Sequence, residues 1–168
     1  MASAEKNNQR INKKIILDTS AILRGFDFSG GQYATTGDVV REISGEFIRA
    51  GVESALGSNN LKIYEPKEQF IERVKTAAKL TGDLDALSNT DTGIIAVAAE
   101  FDLCILSDDY AIQNVAASLG IKQQGIVQEG IAREISWKWI CEGCGAKYET
   151  GGVCGICGLR IKRYKRDK

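Results

Sequence analysis

Two short runs in this chain are apolar at every position, and each ends in acid. Ile15-Ile16-Leu17 leads into Asp18, and Leu103-Cys104-Ile105-Leu106 leads through Ser107 into Asp108 and Asp109. A strand with one solvated face alternates apolar and polar residues. A strand with no polar position has to be covered on both faces, which is the condition of a parallel sheet between helical layers. The acids then lie at strand ends, where open α/β sheets carry their clefts. A third acid, Asp91, opens an amphipathic helix between the two runs. Carboxylates gathered at one cleft repel one another and stay ionised together only around a cation. The pattern therefore points to a divalent metal with oxygen ligands, and so to phosphate chemistry.

The other segments alternate strand and helix around these runs. After a strand at 14–18, Asp18-Thr19-Ser20 offers capping side chains to a short helix through Ala21, Ile22 and Leu23, which Gly25 ends. FDFSGGQYATTG reads as a Gly-rich loop. It leads into one longer helix from about Asp38 to Leu56, with a stripe of Val40, Ile43, Phe47 and Ala50 and with Glu42 near its N-terminal end. Leu61 and Ile63 mark a short strand, and Pro66 suits the start of a helix over 67–80 with Phe70, Ile71, Val74, Ala77 and Ala78 on one side. A helix over 91–101 turns Ile94, Ile95, Val97, Ala98 and Phe101 to the core. A strand at 103–107, a helix at 110–119 and a strand near 121–127 follow. This order predicts an α/β fold, a parallel sheet with helices on its faces.

A chain of 168 residues accommodates one main domain and a small appendage. We expect a flexible N-terminal arm over 1–13, the α/β domain over 14–131, a cysteine ribbon over 135–160 and a basic tail over 161–168. The first 14 residues lack the apolar centre of a secretory signal, and no run approaches 18 apolar residues, so the expected setting is the cytoplasm. The chain has no histidine, which excludes Ser-His-Asp and Cys-His catalysis as well as imidazole metal sites. Metal-activated water remains for hydrolysis.

Cys141-x2-Cys144-x9-Cys154-x2-Cys157 is the most specific local pattern. Two such knuckles, with Gly143, Gly145, Gly155 and Gly158 between or just after the ligands, let four thiolates converge on zinc at about 2.3 Å. A closed four-cysteine shell has no open position for water, so this zinc is structural, and its binding supplies the folding free energy that so small a piece lacks. Cys104, inside an apolar strand, reads as a buried core residue.

The zero net charge hides an asymmetry: residues 158–168 carry six Lys or Arg against one Asp, and the rest of the chain is acidic by five charges. A basic end of this kind suits a phosphate backbone, although short basic tails also serve only as solubilising ends. Arg160, Lys162, Arg163, Lys165 and Arg166 are the candidates to bind RNA. Trp137 and Trp139 alternate with Lys138 on entry to the ribbon. They either stack on bases, with Lys138 on phosphate, or pack the ribbon against the main domain.

IILDTSAIL, the VVREI segment, LSNTDTGIIAVAAEF and ILSDDYAIQNVA resemble the four acidic motifs of the PIN-domain nucleases. SDDYAIQNVA followed by a four-cysteine ribbon resembles, more narrowly, the archaeal Nob-type (NIN-one-binding) endoribonucleases of small-subunit ribosome assembly. The similarity spans residues 14 to 160. It implies a PIN-like α/β/α sandwich with an appended zinc ribbon, and a site of Asp18, Glu42, Asp91 and Asp109, with Ser20 and Ser107 as nearby hydroxyl partners. Glu46 lies one turn from Glu42 and competes with it. Asp109 fits the Ser/Thr-x-Asp pattern of the family, with Asp108 beside it as a further candidate for the Mg²⁺ or Mn²⁺ site. The implied activity is metal-dependent cleavage of precursor small-subunit rRNA at its 3′ end, in a pre-ribosomal particle, leaving a 5′-phosphate and a 3′-hydroxyl. A non-catalytic RNA-binding assembly module and a toxin-like PIN ribonuclease are the other readings of the same residues.

Overall fold

The computed structural model describes residues 14–126 and 137–165, with side chains over 139–163 in the second stretch. The expected arm over 1–13 and the expected domain boundary at 131–135 lie outside the described residues. Strands β1 (Ile15–Leu17), β2 (Tyr33–Thr36), β3 (Leu61–Tyr64), β4 (Cys104–Leu106) and β5 (Gln123–Gln124) form one parallel sheet in the order β3-β2-β1-β4-β5. Helices α1 (Thr19–Leu23), α2 (Gly37–Glu42), α3 (Glu46–Gly57), α4 (Glu68–Thr81), α5 (Asn89–Phe101) and α6 (Tyr110–Ser118) flank it.

The two all-apolar runs are the adjacent inner strands, and Ile16, Leu17 and Ile105 have no exposed surface. Helix α5 packs against β1, β2 and β4 and buries Ile94, Ile95, Ala96, Val97 and Ala98 in succession, as a helix apolar on every side must. Each such large side chain contributes roughly 1.5–3 kcal/mol relative to exposure. The acids at the strand ends are thus carried by the most deeply buried part of the molecule. Phe101, expected in the core, is 41 % exposed and instead packs against the Tyr64 ring with centroids 4.7 Å apart.

Two expectations are corrected. The Gly-rich segment is not all loop, because Tyr33–Thr36 forms β2 between β1 and β3. Its threonines conceal the strand, but Thr35 is fully buried and its hydroxyl donates to the Leu17 carbonyl at 3.1 Å. The long helix is two helices, broken at Ile43-Ser44-Gly45, where Gly45 holds φ 99° and ψ 123°. The break resets the helical phase: Ile43 stays buried, Phe47 is left 91 % exposed, and Val52 and Ala55 take over the core face. A Cβ at Gly45 meets no atom within 4 Å. Gly45→Ala should therefore cost backbone strain alone, about 1–3 kcal/mol. Gly51→Ala, inside α3 and equally uncrowded, should be neutral or stabilise by up to about 1 kcal/mol. Denaturant melts of the two variants would measure both.

The second sheet is antiparallel, in the order β7-β6-β9-β8, from β6 (Trp137–Cys141), β7 (Lys147–Tyr148), β8 (Gly152–Val153) and β9 (Arg160–Lys165). Residues 161–165, read from the sequence as tail, are therefore strand. Ile161 is buried while Lys162 and Arg163, the next two residues, are both exposed, so alternation was hard to see.

Candidate active site and zinc cluster

The β1–β4 register sets Leu17 opposite Leu106, so the next residues, Asp18 and Ser107, emerge side by side. This is where the strand order reverses, the position at which open α/β sheets bind ligands. Asp18 is 5 % exposed, and its Oδ2 accepts from Ser107 Oγ at 2.7 Å and from Ser20 Oγ at 2.8 Å. It stands just before α1 but caps none of its amides, so helix capping does not account for it.

Asp91 is in the first turn of α5, where Oδ2 accepts from the Ser88 amide at 2.8 Å and the Ser88 hydroxyl at 2.7 Å. Asp109 precedes α6, and its Oδ1 accepts from the Ala111 and Ile112 amides at 2.7 and 3.2 Å. The Asp109 amide donates to Ser107 Oγ at 3.0 Å, so this one hydroxyl links two of the acids.

All three aspartates use a single oxygen for the protein. Asp18 Oδ1, Asp91 Oδ1 and Asp109 Oδ2 receive no donor, and no Lys or Arg pairs with these residues, among the described residues. Three hard oxygens without a countercharge are a donor set that fits Mg²⁺ or Mn²⁺.

Glu42 closes the group: its Oε1 accepts from Thr90 Oγ1 at 2.5 Å and its Oε2 from Thr19 Oγ1 at 3.0 Å. Those threonines adjoin Asp91 and Asp18 in sequence. Glu46 lies beyond the helix break at the start of α3, and the bonds of Glu42 to Thr19 and Thr90, next to Asp18 and Asp91 in sequence, favour Glu42. Asp108 is otherwise engaged: Oδ2 pairs with Arg24 at 3.2 Å and Oδ1 accepts from the Ile126 amide at 2.7 Å. With both oxygens spoken for, it fits a supporting position better than the ligand set.

Sequence reasoning missed Asp83. It follows the left-handed Gly82 that ends α4, is 1 % exposed, and accepts from Asn114 Nδ2 at 2.5 Å and Arg163 Nη1 at 3.1 Å. TGDLDALS reads as an ordinary acidic turn, and nothing in it marks one of its two aspartates as buried.

In the ribbon, the sulfurs of Cys141, Cys144, Cys154 and Cys157 all lie within 4.8 Å of one another, the one candidate ligand group so tight among the described residues. The knuckles are built alike. Gly143 and Ile156 amides point at Cys141 and Cys154 sulfurs at 3.3 and 3.4 Å. Gly145 and Gly158 take φ 71° and 73°, and their amides donate to the Cys141 and Cys154 carbonyls at 3.1 and 2.9 Å. The Tyr148 hydroxyl, 3.0 Å from Cys154 Sγ, is the main cause drawing that thiol down to about 6, in the direction that favours the thiolate a metal needs. The donor set fits zinc.

A family model described as the PIN domain of ribonuclease matches residues 15–101. The chain is 37 % identical over 156 residues to the Endoribonuclease Nob1 of Pyrococcus abyssi, covering 91 % of this chain and 94 % of that one. This chain belongs to the Nob1 family of PIN-domain endoribonucleases. It is also similar to Ribonuclease VapC1 of Thermoplasma acidophilum, 34 % identical over 152 residues, 89 % of this chain and 77 % of that one. The 20S-pre-rRNA D-site endonuclease NOB1 of Saccharomyces cerevisiae is 30 % identical over 105 residues, 60 % of this chain and 23 % of that one.

The RNA-contact candidates of this Nob1-family chain fall into three groups. Lys162 pairs with Glu142 and Arg163 with Asp83, while Arg160 is exposed. The Trp139 ring is half-buried against the ribbon core, so close to Gly151 that a Cβ there would lie 2.5 Å from it. The side chains of Trp137, Lys138 and Lys165, and all of Arg166, lie outside the described residues. No described helix is long and apolar enough to cross a membrane.

Burial holds the Asp91 carboxyl above its ordinary range, and the charges of Asp18 and Asp109 raise it further. An acid raised in the folded state keeps its proton after the unfolded chain has lost it. Its contribution to stability is therefore present below the unfolded value and is lost as pH climbs through the folded one. A divalent cation reverses the sign at the site, because it needs the ionised form. Thermal melts should show Mn²⁺ stabilising the Nob1 fold at pH 7 and progressively less as pH falls toward the carboxylate range. Equal stabilisation at pH 4 and pH 7 would contradict this.

Proposed function

We propose that this chain cuts precursor small-subunit rRNA at its 3′ end within a pre-ribosomal particle, using Mg²⁺ or Mn²⁺ and leaving a 5′-phosphate and a 3′-hydroxyl. What supports the reading is the mutual electrostatic influence of Asp91, Asp18 and Asp109, with Asp18 beside Ser107 at the sheet's switch point and, among the described residues, one oxygen of each acid without a protein donor and no Lys or Arg paired with any of them. The Nob1 relatives, and the yeast relative's name as a 20S-pre-rRNA D-site endonuclease, support the substrate.

Asp18, Asp91 and Asp109 would hold the ion, with Glu42 at the rim and Asp108 in support. The ion supplies Lewis acidity toward the scissile phosphate and a lowered pKa for the attacking water. The protein's own part is positioning. Ser20 and Ser107 fix the Asp18 carboxylate, Ser88 fixes Asp91, the first α6 amides fix Asp109, and Thr19 with Thr90 fix Glu42. With water rather than the ribose 2′-hydroxyl as nucleophile, the phosphate stays on the 5′ side of the downstream fragment. An acidic cleft repels RNA, so the zinc ribbon, with Arg160 and its other basic residues, offsets that repulsion and selects the strand that the α/β domain cuts.

The test is to incubate zinc-loaded protein with an RNA spanning the small-subunit 3′ end, with Mn²⁺ or with EDTA, and to map both new ends. A single metal-dependent cut with a 5′-phosphate is expected. The likeness to Ribonuclease VapC1 favours a second reading, a ribonuclease with a target outside the ribosome. That reading predicts growth arrest on overexpression and no preference for the small-subunit 3′ end.

A further inference from the structure

The ribbon meets the nuclease domain through a buried acid. Asp83 is 1 % exposed although it carries a carboxylate, and leaving such a group without partners inside a protein is among the costlier things a fold can do. Two donors meet it from different parts of the chain. Asn114 Nδ2, on α6, reaches Oδ2 at 2.5 Å, and Arg163 Nη1, on ribbon strand β9, reaches Oδ1 at 3.1 Å across 80 positions of sequence. Asn114 is itself 1 % exposed, so its amide is fixed in place.

Helix α6 is the element whose first turn Asp109 caps. One carboxylate thus touches both the helix that carries a site acid and the strand that carries the ribbon. An arginine suits the ribbon side of this contact: its planar fork is always charged and keeps its geometry when partly desolvated. Among the described residues the other ribbon ion pair, Lys162 with Glu142, stays within the ribbon.

We propose that Asp83 and Arg163 form a latch that seats the zinc ribbon on the nuclease domain beside α6, making Arg163 a positioning residue rather than a contact for RNA phosphate. The latch fixes the span between the ribbon and the acids that Asp109 belongs to. In an enzyme that holds RNA with one module and cuts with the other, that span selects the phosphate that is cut. Burial raises the Asp83 carboxyl above its ordinary range, and the hydrogen bond from Asn114 and the charge of Arg163 are among the influences that oppose the rise.

Backbone ¹⁵N relaxation on the zinc-loaded full chain tests this without RNA or cleavage, so its outcome is separable from that of the proposed function. In the wild type, amides over 141–161 and over 15–124 should report one common rotational correlation time. Arg163→Ala and Asp83→Asn should each lower the value for the ribbon below that of the nuclease domain, while the dispersed ribbon resonances show that zinc is still bound. Arg163→Lys should restore part of the common value. Two correlation times in the wild type, or a common one retained in Arg163→Ala, would overturn the proposal. Salt titrations of binding to a single-stranded RNA provide the second readout. A latch leaves the log K against log salt slope as in the wild type, whereas a slope shallower by about 0.7 in Arg163→Ala would mean a lost phosphate contact and overturn it.

Discussion

Asp18→Asn is expected to abolish RNA cleavage while the nuclease domain stays folded. Partners that merely orient metal ligands typically cost about 10–100-fold when removed. Loss of a ligand at the centre of the cluster should cost more than about 100-fold. The fold should tolerate the change. Asparagine keeps the shape, the Ser20 and Ser107 hydroxyls can turn to suit either amide atom, and one charge that opposes Asp91 disappears. The melting temperature without added metal should hold or rise, and the gain conferred by Mn²⁺ should shrink. Asp108→Asn gives the contrast. It weakens the link to Arg24 and the contact with the Ile126 amide, so its main effect should fall on stability rather than turnover. Cleavage rates and thermal melts on the two variants separate the roles. An active Asp18→Asn enzyme would remove the basis of the site.

Stripping zinc with a strong chelator should unfold the ribbon and leave the parallel sheet intact. Among the described residues the ribbon core is the buried Ile161 with Cys141 and Cys154, joined by the half-buried Trp139, Ala146 and Tyr148. Ordering each residue costs about 1–2 kcal/mol of backbone entropy, which so few apolar contacts cannot offset. Metal coordination contributes on the order of 10 kcal/mol or more at neutral pH and closes the gap. Amide dispersion over 141–161 should collapse on chelation and return on adding zinc, and Cys157→Ser should reproduce the collapse. A ribbon that keeps its dispersion without metal would show that its core suffices.

How much of this the sequence discloses depends on how local the determinant is. The all-apolar runs at 15–17 and 103–106 placed β1 and β4 because burial on both faces leaves a local signature. The cysteine spacing placed the ribbon because knuckle geometry is set within four residues. Asp18, Asp91 and Asp109 were legible as strand-end and helix-start acids. The nearness of Asp18 to Ser107 and Asp109 depends on β1 and β4 being neighbours, a matter of topology that no local pattern states. β2 was hidden because Thr35 and Thr36 look solvated while one of them bonds a carbonyl of the next strand. The break at Gly45 was hidden because the apolar stripe runs across it. Asp83 was illegible for a deeper reason: its partners are 31 and 80 positions away, and no local pattern announces a carboxylate buried by tertiary structure.

Under the proposed function, acids from three separate elements hold one divalent ion. Paramagnetic broadening by substoichiometric Mn²⁺, read on ¹⁵N spectra of the zinc-loaded protein, tests it most directly. The amide signals around Asp18, Asp91, Ser107 and Asp109 should be lost selectively, and Asp18→Asn should abolish the effect. Broadening that instead follows exposed acids elsewhere, such as Glu149 or Asp102, and is indifferent to Asp18→Asn would contradict it.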